Sequence, residues 1–324
     1  SDEFGKSTYI DDAILKDIKG FDYELAFKAM KASAIQDKNG LKEYKELGYV
    51  PYEVRNWNVS LTLEYAFDDW CIAEVAKNLG HTEDVEYYLT RSQNFRKHFD
   101  PESGFMRAKS SSGEFKTPFD PNSYHPEDYC EANAWQYNYY VPQDINGMIE
   151  MMGGNAKFTD HLESMFSTAQ EANEKTVWIS GYFGQYVHGN EPSHHVPYLF
   201  RLAGKPELTE YWVRRIMDEM YTTEPSGLCG NEDYGQMSAW YVFSALGFYP
   251  VNPAGGDYII GSPQVEEALI SLPNGKEFKI STKNQSPQNI HVKSLTLNGE
   301  ILERNYLTHQ EILNGGELIF NLSK

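Results

Sequence analysis

No run of apolar residues reaches the roughly 18 that a membrane-crossing helix needs, so these 324 residues indicate no transmembrane segment. Cysteine is nearly missing. Cys71, Cys130 and Cys229 form neither a disulfide framework nor a CxxC pair, and they read as small buried thiols. Positive charge is short as well: 28 Lys plus Arg stand against 47 Asp plus Glu, a formal charge of -19, with no basic stripe or cluster. That balance argues against nucleic acid and against an anionic membrane surface as partners. There is no HExxH and no EF-hand loop, so no spacing identifies a metal. There is also no initiator methionine and no signal sequence. The start at Ser1-Asp2-Glu3-Phe4 reads as a processed or excised chain, from which localisation cannot be taken directly.

What is present is enough chain for a sizeable core, and aromatic residues at 14%. Periodicity and stop signals predict helices over about 21–36, 60–79, 82–99, 143–152, 155–170, 192–203, 206–221 and 234–248, with longer loops at 100–131 and 172–191. The 60–79 segment is apolar on most faces, with Leu61, Leu63, Phe67, Trp70, Ile72 and Val75, whereas 206–221 sets Glu207, Arg214 and Asp218 against Leu208, Trp212 and Ile216. Alternating inner and outer helices are what a toroid of helical hairpins requires. From about Asp257 short alternating runs and the turns Pro273-Asn-Gly275, Asn298-Gly299 and Asn314-Gly-Gly316 predict antiparallel strands. The expected organisation is a mainly α region over 1–250 and a β-rich appendage over 251–324.

Three acidic turns stand out. Residues 227–250 run Gly227-Leu-Cys-Gly-Asn231-Glu232-Asp233-Tyr-Gly-Gln236 into a helix expected to be buried all round and ended by Gly247 and Pro250. Residues 128–144 open with Asp128-Tyr-Cys130-Glu131-Ala-Asn133-Ala-Trp135-Gln136, and residues 186–200 contain His188-Gly-Asn190-Glu191-Pro-Ser-His194-His195. Taken singly, Asn231 or Asp233 would suit a helix N-cap and Glu131 a cap partner or buried ion pair. Together they read differently. Carboxylates and amides beside aromatics suit a sugar, whose hydroxyls need hydrogen-bond partners and whose C–H faces lie against rings.

These motifs, above all Gly230-Asn-Glu-Asp-Tyr-Gly-Gln-Met-Ser-Ala-Trp-Tyr-Val-Phe-Ser-Ala-Leu-Gly-Phe-Tyr-Pro250, with Glu131–Tyr137, Gly189–His194 and Ser60–Trp70, resemble glycoside hydrolase family 92, the calcium-dependent exo-acting α-mannosidases. The resemblance runs from about Lys19 to the C-terminus. It implies an (α/α)6 toroid, an inverting mechanism and a Ca²⁺ in the pocket that contacts the terminal mannose hydroxyls. Family members also carry an N-terminal β-sandwich and the opening helices of the toroid, so the toroid is expected to be incomplete here. The missing part would belong to a full-length protein or to a separate chain.

Inversion requires a protonated carboxyl for the leaving oxygen and a carboxylate that activates water, roughly 6.5–9.5 Å apart. By motif match Glu131 is the general acid, and its neighbours Cys130 and Trp135 are expected to shield it. Asp233 is the general base. Asn231 stands where the family has a second, assisting aspartate. The resemblance assigns Asn190, Glu191 and Glu232 to Ca²⁺; Glu191 could instead contact the sugar. Trp135, Gln136, His194 and Trp57 are expected at the sugar, whereas Trp240 is expected in the core. Adjacent His194 and His195 diverge by ~100° on a helix, which argues against zinc. The function expected is hydrolysis of terminal α-linked mannose, α-1,2-linked for preference, from glycans outside the cytoplasm: secreted, periplasmic or on the outer surface. The alternatives are a non-catalytic glycan-binding or scaffold fragment and a toroidal glycosidase acting on glucosides.

Overall fold

A computed structural model describes residues 6–169 and 180–324. The end of the helix expected over 155–170 and most of the loop expected over 172–191 lie outside the described residues. The described chain falls into two compact units. The first comprises 6–152 with 168–169 and 253–255, the second 153–167 with 180–252 and 256–324.

The first unit contains α1 (Lys6–Leu15), α2 (Tyr23–Ala34), α3 (Leu41–Leu47), α4 (Asn58–Leu79), α5 (Thr82–Ser92), a β1–β2 ribbon (Phe99–Asp100 and Phe105–Met106), α6 (Ala134–Tyr137) and α7 (Ile145–Met151). Helix α4 is the axis of the unit. Fifteen of its 22 residues are buried, as the apolar run predicts, and Phe67, Cys71, Ile72 and Val75 meet Phe27, Met30 and Tyr88 from α2 and α5. Its polar exceptions are used inside. Asp69, 1% exposed, pairs with Arg91 at 2.9 Å and accepts from the Tyr44 hydroxyl at 2.8 Å. The helix expected over 82–99 stops at Ser92 and continues as a 3₁₀ turn over Gln93–Lys97.

The second unit contains α8 (Asn155–Ser167), a β3–β4 hairpin (Tyr182–Phe183 and Tyr186–Val187), α9 (Val196–Leu202), α10 (Pro206–Met220), α11 (Gln236–Leu246), β5 (Phe248–Tyr249), β6 (Asp257–Ile260), β7 (Glu267–Ser271), β8 (Glu277–Lys283), β9 (His291–Leu297), β10 (Glu300–Ile301), β11 (Tyr306–Thr308), α12 (His309–Leu313) and β12 (Gly316–Ser323). Five strands form one sheet in the order β10-β9-β12-β8-β7, antiparallel except for the parallel β12–β8 pair; β11-β6-β5 form a second, antiparallel sheet. Asn298 and Gly299, both at positive φ, make the two-residue hairpin turn between β9 and β10 that the Asn-Gly pair predicts.

Two expectations are corrected. The compact units do not divide at residue 250, because the β-rich segment shares one core with the helix before it: Phe248, Phe278, Ile280, Leu318 and Phe320 pack together, with Phe243 and Leu246 of α11 against them. Helix α11 is not buried all round. Met237, Trp240, Ser244 and Ala245 are buried, but Ser238, Ala239 and Val242 form an exposed face. Small and β-branched apolar residues on both sides of the helix hide the face difference from a periodicity reading.

Candidate active site

The first acidic turn rests on the start of α4. Trp57 occupies the N-cap position with φ 61° and no side chain caps the helix. Instead the turn supplies the acceptors that the orphan N–H groups need. Trp57 N donates to Glu127 O at 2.7 Å and Val59 N to Asp128 O at 3.1 Å. The buried Asn58 amide donates to Asp128 Oδ1 at 2.9 Å, and Lys116 Nζ reaches Asp128 at 2.8 Å. Cys130 N donates to Ser60 Oγ at 2.9 Å. His125, Glu127 and Asp128 bring ligand atoms within 4.8 Å of one another, the one such group of three or more His, Cys, Asp or Glu found among the described residues. The ammonium of Lys116 already serves as its cation.

Glu131 follows, at φ 52° and exposed. It does not cap α6. That cap is a reciprocal box in which Asn133 accepts from Gln136 N and Gln136 accepts from Asn133 N. Of the neighbours expected to shield Glu131, Trp135 is buried and Cys130 half-buried. Trp135 and Gln136 also take part in the turn. Both are buried, Trp135 Nε1 donates to Asn122 Oδ1 at 2.8 Å with its ring edge-on to Phe105, and Gln136 is committed to the cap. They build the turn. Trp57, half-buried, is the aromatic of this group that keeps an open side.

The second unit brings two acidic turns together through glycine. A Cβ on Gly230 would stand 2.5 Å from Gly189 O and 2.7 Å from its Cα, and one on Gly189 would meet Gly230 N at 3.1 Å. No side chain fits between these backbones, and Gly230 is at φ 67° besides. Ser180 holds both strands, accepting from Gly189 N at 3.1 Å through its carbonyl and from Gly230 N at 2.7 Å through its hydroxyl. The Asn190-Glu191 pair is thereby set beside Asn231-Glu232-Asp233. Asn190 is mostly buried, Glu232 half-buried, and Glu191, Asn231 and Asp233 are exposed.

Neither Asn231 nor Asp233 caps α11. Asp233, Tyr234 and Gly235 run through left-handed φ values of 44°, 55° and 88°, and Gly235 is the N-cap. The carboxylate that reaches the helix is Glu232, whose Oε1 accepts from Ser238 N at 3.2 Å. Asp233 contributes only its backbone carbonyl, to Gln236 N at 3.1 Å. Two successive non-glycine residues in this region are costly, about 1–2 kcal/mol each, which sets the turn apart from an ordinary cap. Oxygen donors of Asn190, Glu191 and Glu232 are the chemistry a hard cation takes, and the glycine contact lets their turns approach.

Beneath this turn lies a buried cluster that the sequence reading assigned only in part. His194 is corrected: it is 2% exposed, its Nε2 donates to His188 O at 2.9 Å and its Nδ1 accepts from Gln236 Nε2 at 3.1 Å. Neither ring nitrogen is left for a sugar, and burial pushes the imidazole down to about 4, so it is neutral. His188, missed because a single histidine among apolar residues reads as core, lies between the hydroxyls of Tyr186 at 2.8 Å and Tyr221 at 2.6 Å; burial holds it well below the usual imidazole range. Trp240, in the core as expected, donates through Nε1 to His194 O at 2.9 Å.

Comparison with known proteins agrees with the motifs. The model of the glycosyl hydrolase family 92 catalytic domain matches residues 6–324. The chain is similar to a family 92 α-mannosidase from Bacteroides thetaiotaomicron solved in complex with mannoimidazole, with 41% identity and a TM-score of 0.95 over 98% of this chain and 43% of that one. It is also similar to a family 92 inverting mannosidase from the same organism, with 36% identity and a TM-score of 0.88 over 98% of this chain and 45% of that one. A protein of Arthroderma benhamiae described as an uncharacterized secreted glycosidase is 27% identical over 97% of this chain and 44% of its own length. The chain thus spans less than half the length of each of these relatives. Its sequence and its fold place it in the catalytic domain of glycosyl hydrolase family 92.

Proposed function

We propose that this chain carries the catalytic groups of an exo-acting α-mannosidase that removes terminal α-linked mannose, α-1,2-linked for preference, from glycans with inversion. The observation that carries the reading is shared by two turns. Glu131 and Asp233 are both exposed carboxylates on non-glycine residues at positive φ, and neither caps the helix it precedes. Exposed carboxylates held on strained backbone are expected where a protein presents chemistry rather than stability.

In this reading Glu131 gives its proton to the glycosidic oxygen as the C–O bond breaks. Asp233 takes a proton from the water that attacks the anomeric carbon from the opposite face. The departing alcohol and free mannose account for all atoms, and the proton on Asp233 returns to Glu131 through solvent. Asn231 cannot accept a proton as a second aspartate would, so water activation rests on Asp233. Substrate that excludes water from Glu131 would favour its protonated form. Trp57 would lie against the sugar. Asn190, Glu191 and Glu232 would hold Ca²⁺, which when bound offers hydroxyl coordination to the sugar. The helical region would form part of an (α/α)6 toroid, completed together with an N-terminal β-sandwich by further chain. Action on glycans, and a relative described as a secreted glycosidase, support a secreted, periplasmic or outer-surface location.

The test is release of mannose from α-1,2-mannobiose at pH 7, with Ca²⁺ and with a chelator, by wild type and Glu131→Gln. Calcium-dependent release that disappears in Glu131→Gln is expected. No release by the complete wild-type protein would overturn the reading.

A further inference from the structure

The buried cluster under the 231–235 turn has a proton arrangement that hydrogen-bond chemistry fixes. Met237 O can only accept, so the Tyr221 hydroxyl, 3.1 Å away, donates to it. Tyr221 Oη must then accept from His188 Nε2–H at 2.6 Å, and His188 Nδ1, left without a proton, accepts from the Tyr186 hydroxyl at 2.8 Å. His188 O can likewise only accept, so His194 carries its proton on Nε2 and takes one Gln236 N–H at Nδ1. The second Gln236 N–H goes to the Tyr249 hydroxyl at 3.2 Å. The donors of His188, His194, Tyr186, Tyr221 and Gln236 are thereby assigned acceptors, and the chain reaches α11 at Gln236, Met237 and Trp240.

Those three residues lie in the first two turns of α11, which starts three residues after Asp233. No side chain caps this helix other than Glu232, itself a member of the turn. The position of the turn is therefore set from the buried cluster as well as by the Gly189–Gly230 contact and the Glu232 cap.

We propose that His188 and His194 are positioning residues that hold the Asn231–Tyr234 turn in register for reaction, acting through Tyr221, Gln236 and Trp240 and never touching substrate. The inference rests on the proposed role of Asp233 for its catalytic consequence, but the tether itself can be read without turnover. It also accounts for why these two histidines are not metal ligands: all four ring nitrogens of His188 and His194 are engaged by protein groups.

The experiment uses the complete protein with three substitutions. Tyr221→Phe removes one hydroxyl from the tether and keeps the ring. Tyr198→Phe is the control, since it removes the 2.8 Å bond to Ser244 Oγ, on the same helix but about two turns further on. His188→Gln keeps one donor and one acceptor and is compared with His188→Leu. Expected for Tyr221→Phe are faster hydrogen exchange in the 232–238 amides and a kcat reduced by about tenfold or more, with KM within about twofold. Tyr198→Phe should leave both unchanged, and His188→Gln should recover part of what His188→Leu loses. Unchanged exchange and kcat in Tyr221→Phe would overturn the proposal, as would an equal kcat loss in Tyr198→Phe. Looser exchange with full kcat would overturn the positioning role. If Asp233→Asn stays active while exchange loosens and kcat falls, the assignment of the base fails and the positioning of the turn stands.

Discussion

The turns that present Glu131 and Asp233 solve one problem with opposite materials. The 127–131 turn is held by charge and by the free N–H groups of a helix: Lys116 and Asn58 converge on Asp128, and the first turn of α4 donates to Glu127 and Asp128. The 230–235 turn is held by neutral groups, a glycine contact and a histidine–tyrosine cluster. Lys116 is about a third exposed, so its share of the first anchor is open to screening by salt, whereas the second is dry and depends on fit.

The largest expected effects separate the chemical roles. Glu131→Gln and Asp233→Asn should each lower kcat on mannobiose by about 10²–10⁴-fold. With an aryl mannoside whose leaving group needs no proton, Glu131→Gln should recover most activity and Asp233→Asn none; equal recovery would mean the roles are misassigned. Next is Gly230→Ala. A methyl group 2.5 Å from Gly189 O, on a residue at φ 67°, should destabilise by about 2–4 kcal/mol in denaturant titration, and should weaken Ca²⁺ binding by separating the two turns.

A pH effect probes the footing of the first turn. His98, fully buried, donates from Nδ1 to Arg107 O at 2.6 Å and meets Thr62 Oγ1 of α4 at 2.9 Å, and burial pushes it down to about 4. Its folded value lies below its unfolded one, so its contribution is complete above pH 6.5 and is lost as pH falls toward 4, by up to about 3 kcal/mol. His98→Gln should reduce that slope by its share, leaving the shares of His188 and His194; an unchanged slope would refute the assignment. The smallest effects concern the ionic anchor. Asp128→Ala removes one of the two acceptors of the buried Asn58 amide, leaving Glu127 O, and should cost about 1–3 kcal/mol, whereas Lys116→Met should cost under about 1 kcal/mol, with the difference from wild type vanishing in molar salt.

Much of the helical part was legible because its signals are local. Gly80 and Gly247 end α4 and α11 at left-handed φ, and Pro206 opens α10. Helices α1 and α3 were missed: α1 has few apolar positions to set a period, and α3 is only seven residues long. Alternation in β12 announces a strand with Leu318, Phe320 and Leu322 inward, but it is blind to strand direction, so the parallel pairing with β8 could not be read. At the site, the acidic residues were visible and their surroundings were not. Trp135, Gln136 and His194 carry the right chemistry for a sugar, yet each spends it on protein partners. Only tertiary contacts decide whether a polar group faces a ligand or a neighbour, and the Gly189–Gly230 approach leaves no trace in periodicity.

That approach also limits how the family could diversify at this point. With two backbones in van der Waals contact, neither turn can lengthen, shorten or rotate without moving the other. Change at this point is therefore confined to the side chains at 190, 191 and 231–234, as a lock is rekeyed by its pins while the barrel stays fixed.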